Sequence, residues 1–358
     1  MKLPSHGANA HYLYEALQID QPNRTIDFSA NLNPLGPPPS LKEKWQDAFQ
    51  LMTTYPDPHA VTLTETLASH HGVESNQLLI GNGGAELITL VGRFLLGKRV
   101  CIVQPAFSEY EEACLSAECE VTYHTLEEEE WTLGSHLTEK LPYVDAVFLC
   151  TPNNPTGVTY DPASVLSVLE ASQQYDCTVI IDEAFADFLS DQSSFSSLLD
   201  TFSNLIILRS LTKMYAIPGL RLGYMMAHPN VIDAIKKLQP HWSVNALALR
   251  AGELCLEEDD YVTQTHHLIE QERERSFQFF NQTNFVYSKS SVNFYLLRDP
   301  ERDDQEPLMR YLMENGLIPR HTENFPGLDG RWLRFAVRTP EENDRLMEVL
   351  ATWRSSFL

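Results

Sequence analysis

The 358-residue chain carries 26 basic and 49 acidic side chains, a formal net charge of −23, and 43% of its residues are hydrophobic against 21% charged. Such an apolar share lets burial offset chain entropy, which excludes a disordered chain, and the length supports one large domain or two ordinary ones. The acidic balance argues against nucleic acid or an anionic membrane as partner, so an anionic small substrate would need a local arginine cluster.

In chain order, Asp27 to Pro39 (DFSANLNPLGPPP) contains four prolines and reads as extended backbone. Ser40-x-x-Glu43 then reads as a capping box that opens a helix. Short apolar runs alternate with helical patterns from there. The predicted strands are 99–103, 145–150, 177–181, 205–208 and 221–227, and the predicted helices include 84–96, 161–175 and 230–238. Near-continuous apolar strands separated by helices predict a mostly parallel sheet covered on both faces. Glu127 to Glu130 reads as a solvated turn.

After about Pro240 the pattern changes to a long charged helix over 257–280 and then to alternating strand patterns. In Trp332 to Arg338, Leu333, Phe335 and Val337 share one face while Arg334 and Arg338 share the other. Thr339, Pro340 and Glu342 form a second capping box. The resulting expectation is an α/β chain with an N-terminal segment over 1–40, a large domain over 41–240 and a smaller α+β domain over 241–358.

No apolar span of about 20 residues is present; the best candidate, Leu87 to Gly97, is interrupted by Arg93. Met1 to Tyr12 lacks the apolar core of a signal peptide. The cysteines at 101, 114, 119, 150, 177 and 255 form no Cys-x-x-Cys pair, so reduced thiols in a cytoplasm are expected. His70-His71 and His266-His267 lack a Glu-x-x-His partner or cysteine ligands, and no metal site is expected there. A Ser-His-Asp hydrolase is disfavoured because no Gly-x-Ser-x-Gly elbow occurs.

Ligands of open α/β sheets bind beyond the carboxyl ends of the strands. Just past the predicted strands stand Phe107, then Asn154 in Asn153-Asn154-Pro155-Thr156-Gly157, then Asp182-Glu183, then Ser210-Leu211-Thr212-Lys213. Gly81-Asn82-Gly83-Gly84 adds a glycine turn that opens a helix, where free backbone N–H groups favour a phosphate. An amine, a carboxylate and a phosphate cradle at one sheet edge are what pyridoxal phosphate needs.

On Asn154-Pro155-x-Gly157, Asp182-Glu183-Ala184-Phe185, Ser210-x-x-Lys213 and Gly219-x-Arg221-x-Gly223, the chain resembles the fold-type-I pyridoxal-phosphate enzymes of aminotransferase class I/II. That resemblance implies that Lys213 carries the cofactor covalently and moves protons at the substrate α-carbon. It further implies that Asp182 keeps the ring nitrogen protonated, Asn154 donates to the ring phenolic oxygen and Phe107 stacks on the ring. Gly84, Ala85, Ser210 and Arg221 would hold the phosphate. Tyr55 matches a tyrosine that crosses from a partner subunit to that phosphate, which implies a homodimer.

The ends of the chain carry a narrower resemblance. His6-Gly7-Ala8-Asn9, DFSANLNPLGPP, Ile318-Pro319-Arg320 and Arg334 are similar to the threonine-phosphate decarboxylases that supply aminopropanol phosphate to cobalamin synthesis. In that pattern His6, Gly7, Asn31, Asn154, Arg320 and Arg334 surround the substrate. The histidinol-phosphate aminotransferases, next in resemblance, usually have a different opening motif and a tyrosine where Phe185 stands. Decarboxylation is the first expectation, transamination the second and a catalytically silent binding protein the last. A plain structural reading competes for the two arginines, which could simply pair with acidic residues.

Overall fold

The computed structural model of the protein describes residues 3–128, 130–190 and 194–355. After a short strand β1 (Ile26–Asp27), the main sheet is built from β2 (Leu78–Gly81), β3 (Arg99–Gln104), β4 (Glu120–Thr125), β5 (Ala146–Cys150), β6 (Thr178–Asp182), β7 (Leu205–Ser210) and β8 (Gly223–Ala227). The spatial order is β2-β8-β7-β6-β5-β3-β4. Neighbours from β7 through β4 run parallel, and β8 runs antiparallel to both β7 and β2. The central strands read AVFLC, TVIID and LIILRS and are buried along almost their whole length, as strands covered on both faces must be.

Helices Gly83–Phe94, Pro162–Gln174 and Pro229–Lys236 lie within about two residues of the predicted bounds. Asp161 caps the second of them by accepting from the Ser164 amide at 3.0 Å. Two strands of the sheet are not among those predicted. β2 is only four residues long, and β4 (EVTYHT) is a half-exposed edge strand whose polar side chains mask its pattern.

The second unit holds β9 (Val286–Tyr287), β10 (Phe294–Arg298), β11 (Leu317–Ile318), β12 (Arg320–His321) and β13 (Leu333–Ala336). β12-β13-β10-β9 form an antiparallel sheet, while β11 pairs in parallel with β1. The N-terminal helix Ala10–Leu17 rests on this unit, for Tyr14 Oη donates to the Met313 carbonyl and Arg310 Nη1 to the Leu17 carbonyl, both at 2.9 Å. The charged helix spans Asp259–Gln282. Helix Pro340–Ser355 opens on the Thr339 and Glu342 capping box, with two reciprocal contacts of 3.4 Å.

The two units meet closely at Gly157. Its φ is +74°, and an added Cβ would lie 2.1 Å from Ser290 Oγ and 2.7 Å from the Phe294 carbonyl oxygen. Only glycine satisfies both the conformation and the clearance.

Three expectations need correction. Ser40 does not cap its helix, because Pro39 with its preset φ takes the first helical position and Pro38 becomes the cap, leaving Ser40 Oγ buried without a partner. The strand expected from Arg221 starts at Gly223, since Arg221 has φ 58° and turns the chain before the ladder begins. Glu128 is not merely solvated. It pairs with Arg331 and Arg298 and accepts from Trp332 Nε1 at 2.8 Å, while Glu127 and Glu130 are exposed and Glu129 lies outside the described residues.

Candidate active site

A cavity of about 270 Å³ opens at the carboxyl edge of the main sheet. The strand ends bring Phe107, Asn154, Asp182, Ser210 and Lys213 to one wall, with Gly84, Ala85 and Arg221 at its end. His6, Gly7, Asn31, Arg320 and Arg334 complete the lining. Thus every expected site residue except Tyr55 lines one space. Tyr55 is 82% exposed and stacks near Trp242, with ring centroids 5.0 Å apart, outside that cavity. A tyrosine so placed does not serve the cavity of its own chain.

The phosphate end is made of bare backbone. Helix Gly83–Phe94 points its first N–H groups at the cavity, and a Cβ on Gly83 would come 2.8 Å from Arg221 Nη2. A Cβ on Gly223 would lie 3.1 Å from the Gly84 amide nitrogen. These clearances let the guanidinium and the helix terminus converge on one anion. Ser210 Oγ shares a 2.7 Å hydrogen bond with Thr212 Oγ1 beside them.

Lys213 follows β7 directly. Burial, with the nearby Arg334 and Arg221 charges, pulls its amine down to about 8, so a larger share is neutral and nucleophilic than for an ordinary lysine. Asp182 ends β6 and is 6% exposed. Burial raises its pKa, while hydrogen bonds from Tyr110 Oη at 2.5 Å and from the Ala184 amide at 2.8 Å oppose that rise. An anchored phosphate end, an amine of lowered basicity and a buried carboxylate are the donor and acceptor set that pyridoxal phosphate requires.

The lining at Arg320 and Arg334 is cationic. Arg320 and Arg334 are 3% and 7% exposed, and neither meets a carboxylate among the described residues. Arg320 donates to the carbonyls of His321 at 2.8 Å and Ser5 at 2.6 Å, and to Asn324 Oδ1 at 2.6 Å. Arg334 donates to the Ser29 carbonyl at 2.9 Å and to Asn154 Oδ1, which fixes that amide with its NH₂ group free. Arg334 Nε has no partner among the described residues. Burial pulls Arg320 down to about 10 and, with help from Arg320, Arg334 to about 9. Their pairing with acidic residues is therefore overturned as an explanation, and two buried cations stand ready for anions.

Residues that sequence reasoning missed also line the cavity. Tyr110 lies in the first turn of helix Glu109–Ser116, three positions after Phe107 in the loop that leads into it. Glu109 is raised by burial, against the charge of His6. Ser5, Ser29 and Asn324 enter through backbone or loop positions that carry no local signal.

A family model for aminotransferase class I and II matches residues 23–350. Threonine-phosphate decarboxylase of Salmonella typhimurium is 38% identical over 349 residues, covering 97% of this chain and 95% of that one. Among solved structures, the histidinol-phosphate aminotransferase of Clostridium acetobutylicum superposes with a TM-score of 0.87 at 28% identity, covering 92% of this chain and 99% of that one. The L-threonine-O-3-phosphate decarboxylase of Porphyromonas gingivalis gives 0.81 at 26% identity, covering 91% and 98%. With the glycine cradle, the low-basicity lysine and the buried aspartate at one sheet edge, the chain belongs to the aminotransferase class I and II family and is a pyridoxal-phosphate-dependent enzyme.

Proposed function

We propose that this enzyme removes the α-carboxylate of L-threonine O-3-phosphate, giving aminopropanol phosphate and carbon dioxide. The observation that carries this reading is the pair Arg320 and Arg334, two buried guanidiniums without a carboxylate partner among the described residues, in one cavity with Lys213. A substrate bearing both a carboxylate and a phosphate brings two anions to two cations. The likeness to the decarboxylase of Salmonella typhimurium supports the same choice. Histidinol phosphate has a single anionic group and would leave one guanidinium unmatched; that transamination is the second reading, favoured by the higher TM-score of 0.87 to an aminotransferase.

Pyridoxal phosphate, when bound, supplies an electron sink for the pair left on the α-carbon. Gly84 and Ala85 amides, Ser210 and Arg221 would hold its phosphate, Phe107 would pack on the ring and Asn154 would donate to the phenolic oxygen. Asp182 would keep a proton on the ring nitrogen, and Lys213 would carry the covalent attachment. Arg320 and Arg334, with His6, Gly7, Asn31 and Asn154, would hold the two anionic ends of the substrate and fix its orientation in the cavity. Carbon dioxide departs without its bonding electrons, and Lys213 Nζ delivers one proton to the α-carbon.

Three further assignments belong to this reading. The enzyme acts as a homodimer in which Tyr55 of each subunit completes the phosphate anchor of the other, which accounts for an 82% exposed tyrosine beside exposed Phe49, Met52 and Trp242. Residues 41–240 form the cofactor-binding domain, 241–358 the smaller one, and 1–40 the segment that reaches substrate. Six free, buried cysteines suit a reducing cytoplasm.

The deciding experiment incubates holoenzyme with threonine phosphate and no keto acid. Continuous release of carbon dioxide and aminopropanol phosphate is expected. If histidinol phosphate with 2-oxoglutarate instead yields glutamate, while threonine phosphate releases nothing, the transamination reading replaces it.

A further inference from the structure

Tyr110 is 1% exposed, and its hydroxyl donates to Asp182 Oδ2 at 2.5 Å. Its ring is fixed by stacking on Phe148, with centroids 5.2 Å apart and 17° between planes. The phenol is held well above its ordinary range, first by burial and then by the Asp182 charge, so it keeps the proton it donates to the carboxylate. Asp182 Oδ1 accepts from the Ala184 amide. Each carboxylate oxygen therefore has one fixed donor and keeps a lone pair for the cavity.

We propose that Tyr110 is a positioning residue that determines how far Asp182 leaves the proton on the ring nitrogen of the cofactor. The inference rests on the reading of Asp182 as the partner of that nitrogen. A hydrogen bond to a carboxylate stabilises its ionised form. Without the phenol, the buried carboxylate keeps one donor and draws the shared proton toward itself, which leaves the ring nitrogen neutral and the electron sink weaker. The other groups that face Asp182 are Glu183, Lys213 and Cys150. Lys213 is consumed in holding the cofactor, and the Cys150 thiol donates to the Pro152 carbonyl at 3.4 Å, so neither replaces the phenol. The Glu183 carboxylate is turned away, accepting from Arg209 Nη1 and Ser194 Oγ, each at 2.7 Å.

The test uses holoenzyme reconstituted with cofactor labelled with ¹⁵N at the ring. The nitrogen chemical shift, followed against pH, reports where that atom gives up its proton. Tyr110→Phe keeps the ring that stacks on Phe148, and it should lower this midpoint by about one pH unit, a tenfold change, from the loss of one hydrogen bond to a charged acceptor. Asp182→Asn should lower it further, and the double variant should match Asp182→Asn. Site-specific replacement of Tyr110 by 3,5-difluorotyrosine, a stronger donor of the same shape, should raise it. A midpoint unmoved by Tyr110→Phe but lowered by Asp182→Asn overturns the inference and leaves the Asp182 reading standing. A midpoint unmoved by Asp182→Asn overturns both. A difluorotyrosine shift in the same direction as Tyr110→Phe marks Tyr110 as packing alone and also overturns the inference.

Discussion

Arg320 and Arg334 are Cα partners in register across β12 and β13, so two buried like charges share one rung of an antiparallel ladder. Like charges directly opposite each other destabilise a sheet, and an arrangement that costs stability points to a ligand that compensates it.

Replacing either arginine by alanine should therefore cost roughly 2 to 5 kcal/mol in kcat/KM, because a substrate anion is left desolvated and unpaired. Arg345→Ala, which breaks the exposed pair with Glu348, should cost about 0 to 1 kcal/mol of stability and leave kinetics alone. Steady-state kinetics with threonine phosphate decide the matter. Unchanged kcat/KM in both arginine variants removes these residues from the substrate site.

Capture of cofactor by the apoprotein should accelerate as pH rises through about 8, where the Lys213 amine loses its proton. Arg334→Ala removes a positive neighbour and lets that amine regain basicity, so the profile should move to higher pH. Stopped-flow absorbance gives both profiles. Borohydride reduction should then fix the cofactor to the peptide containing Lys213 and to no other peptide.

His321 predicts acid sensitivity. The residue is 4% exposed, Nε2 meets the Pro4 carbonyl at 2.8 Å, Nδ1 has no partner among the described residues, and burial pulls its pKa to about 3. Because the folded value lies below the unfolded 6.5, the unfolded chain binds the extra proton, and stability falls as pH drops from about 6.5 toward 3. The slope should approach 1.4 kcal/mol per pH unit, and His321→Gln should flatten it. Urea unfolding at pH 7, 6 and 5 measures this, and equal slopes in the two proteins would refute it.

Tyr55 and Lys213 should complement each other between subunits. In a mixed dimer of Tyr55→Ala and Lys213→Ala chains, one site collects both defects and the other neither. Mixing two impaired proteins should therefore restore activity under conditions that exchange subunits. No recovery, with mixed dimers demonstrated by mass, would place Tyr55 outside the partner's site.

Much of the cavity was legible because its chemistry sits at strand ends. Asp182 and Lys213 each follow a run so apolar that it must be a buried strand, and the side chain after such a run falls on the sheet edge. The direction of β8 was not legible, since an apolar run does not say which way it runs. Nor was the tie between Arg334 and Asn154, which joins residues 180 positions apart. Ser40 misled because its capping pattern was intact while Pro39 started the helix first. Tyr110 was passed over because a tyrosine at helical spacing reads as core until its acceptor is known.

The seam at Gly157 has a consequence for how such a cavity can change. At this seam the bare backbone of Gly157 meets the Ser290 side chain and the Phe294 carbonyl, where one methyl group would act as a wedge. Side chains around the rim can vary and retune which anion is held. The seam between the two units cannot be adjusted in that way, since the smallest available increment at Gly157 already exceeds the clearance.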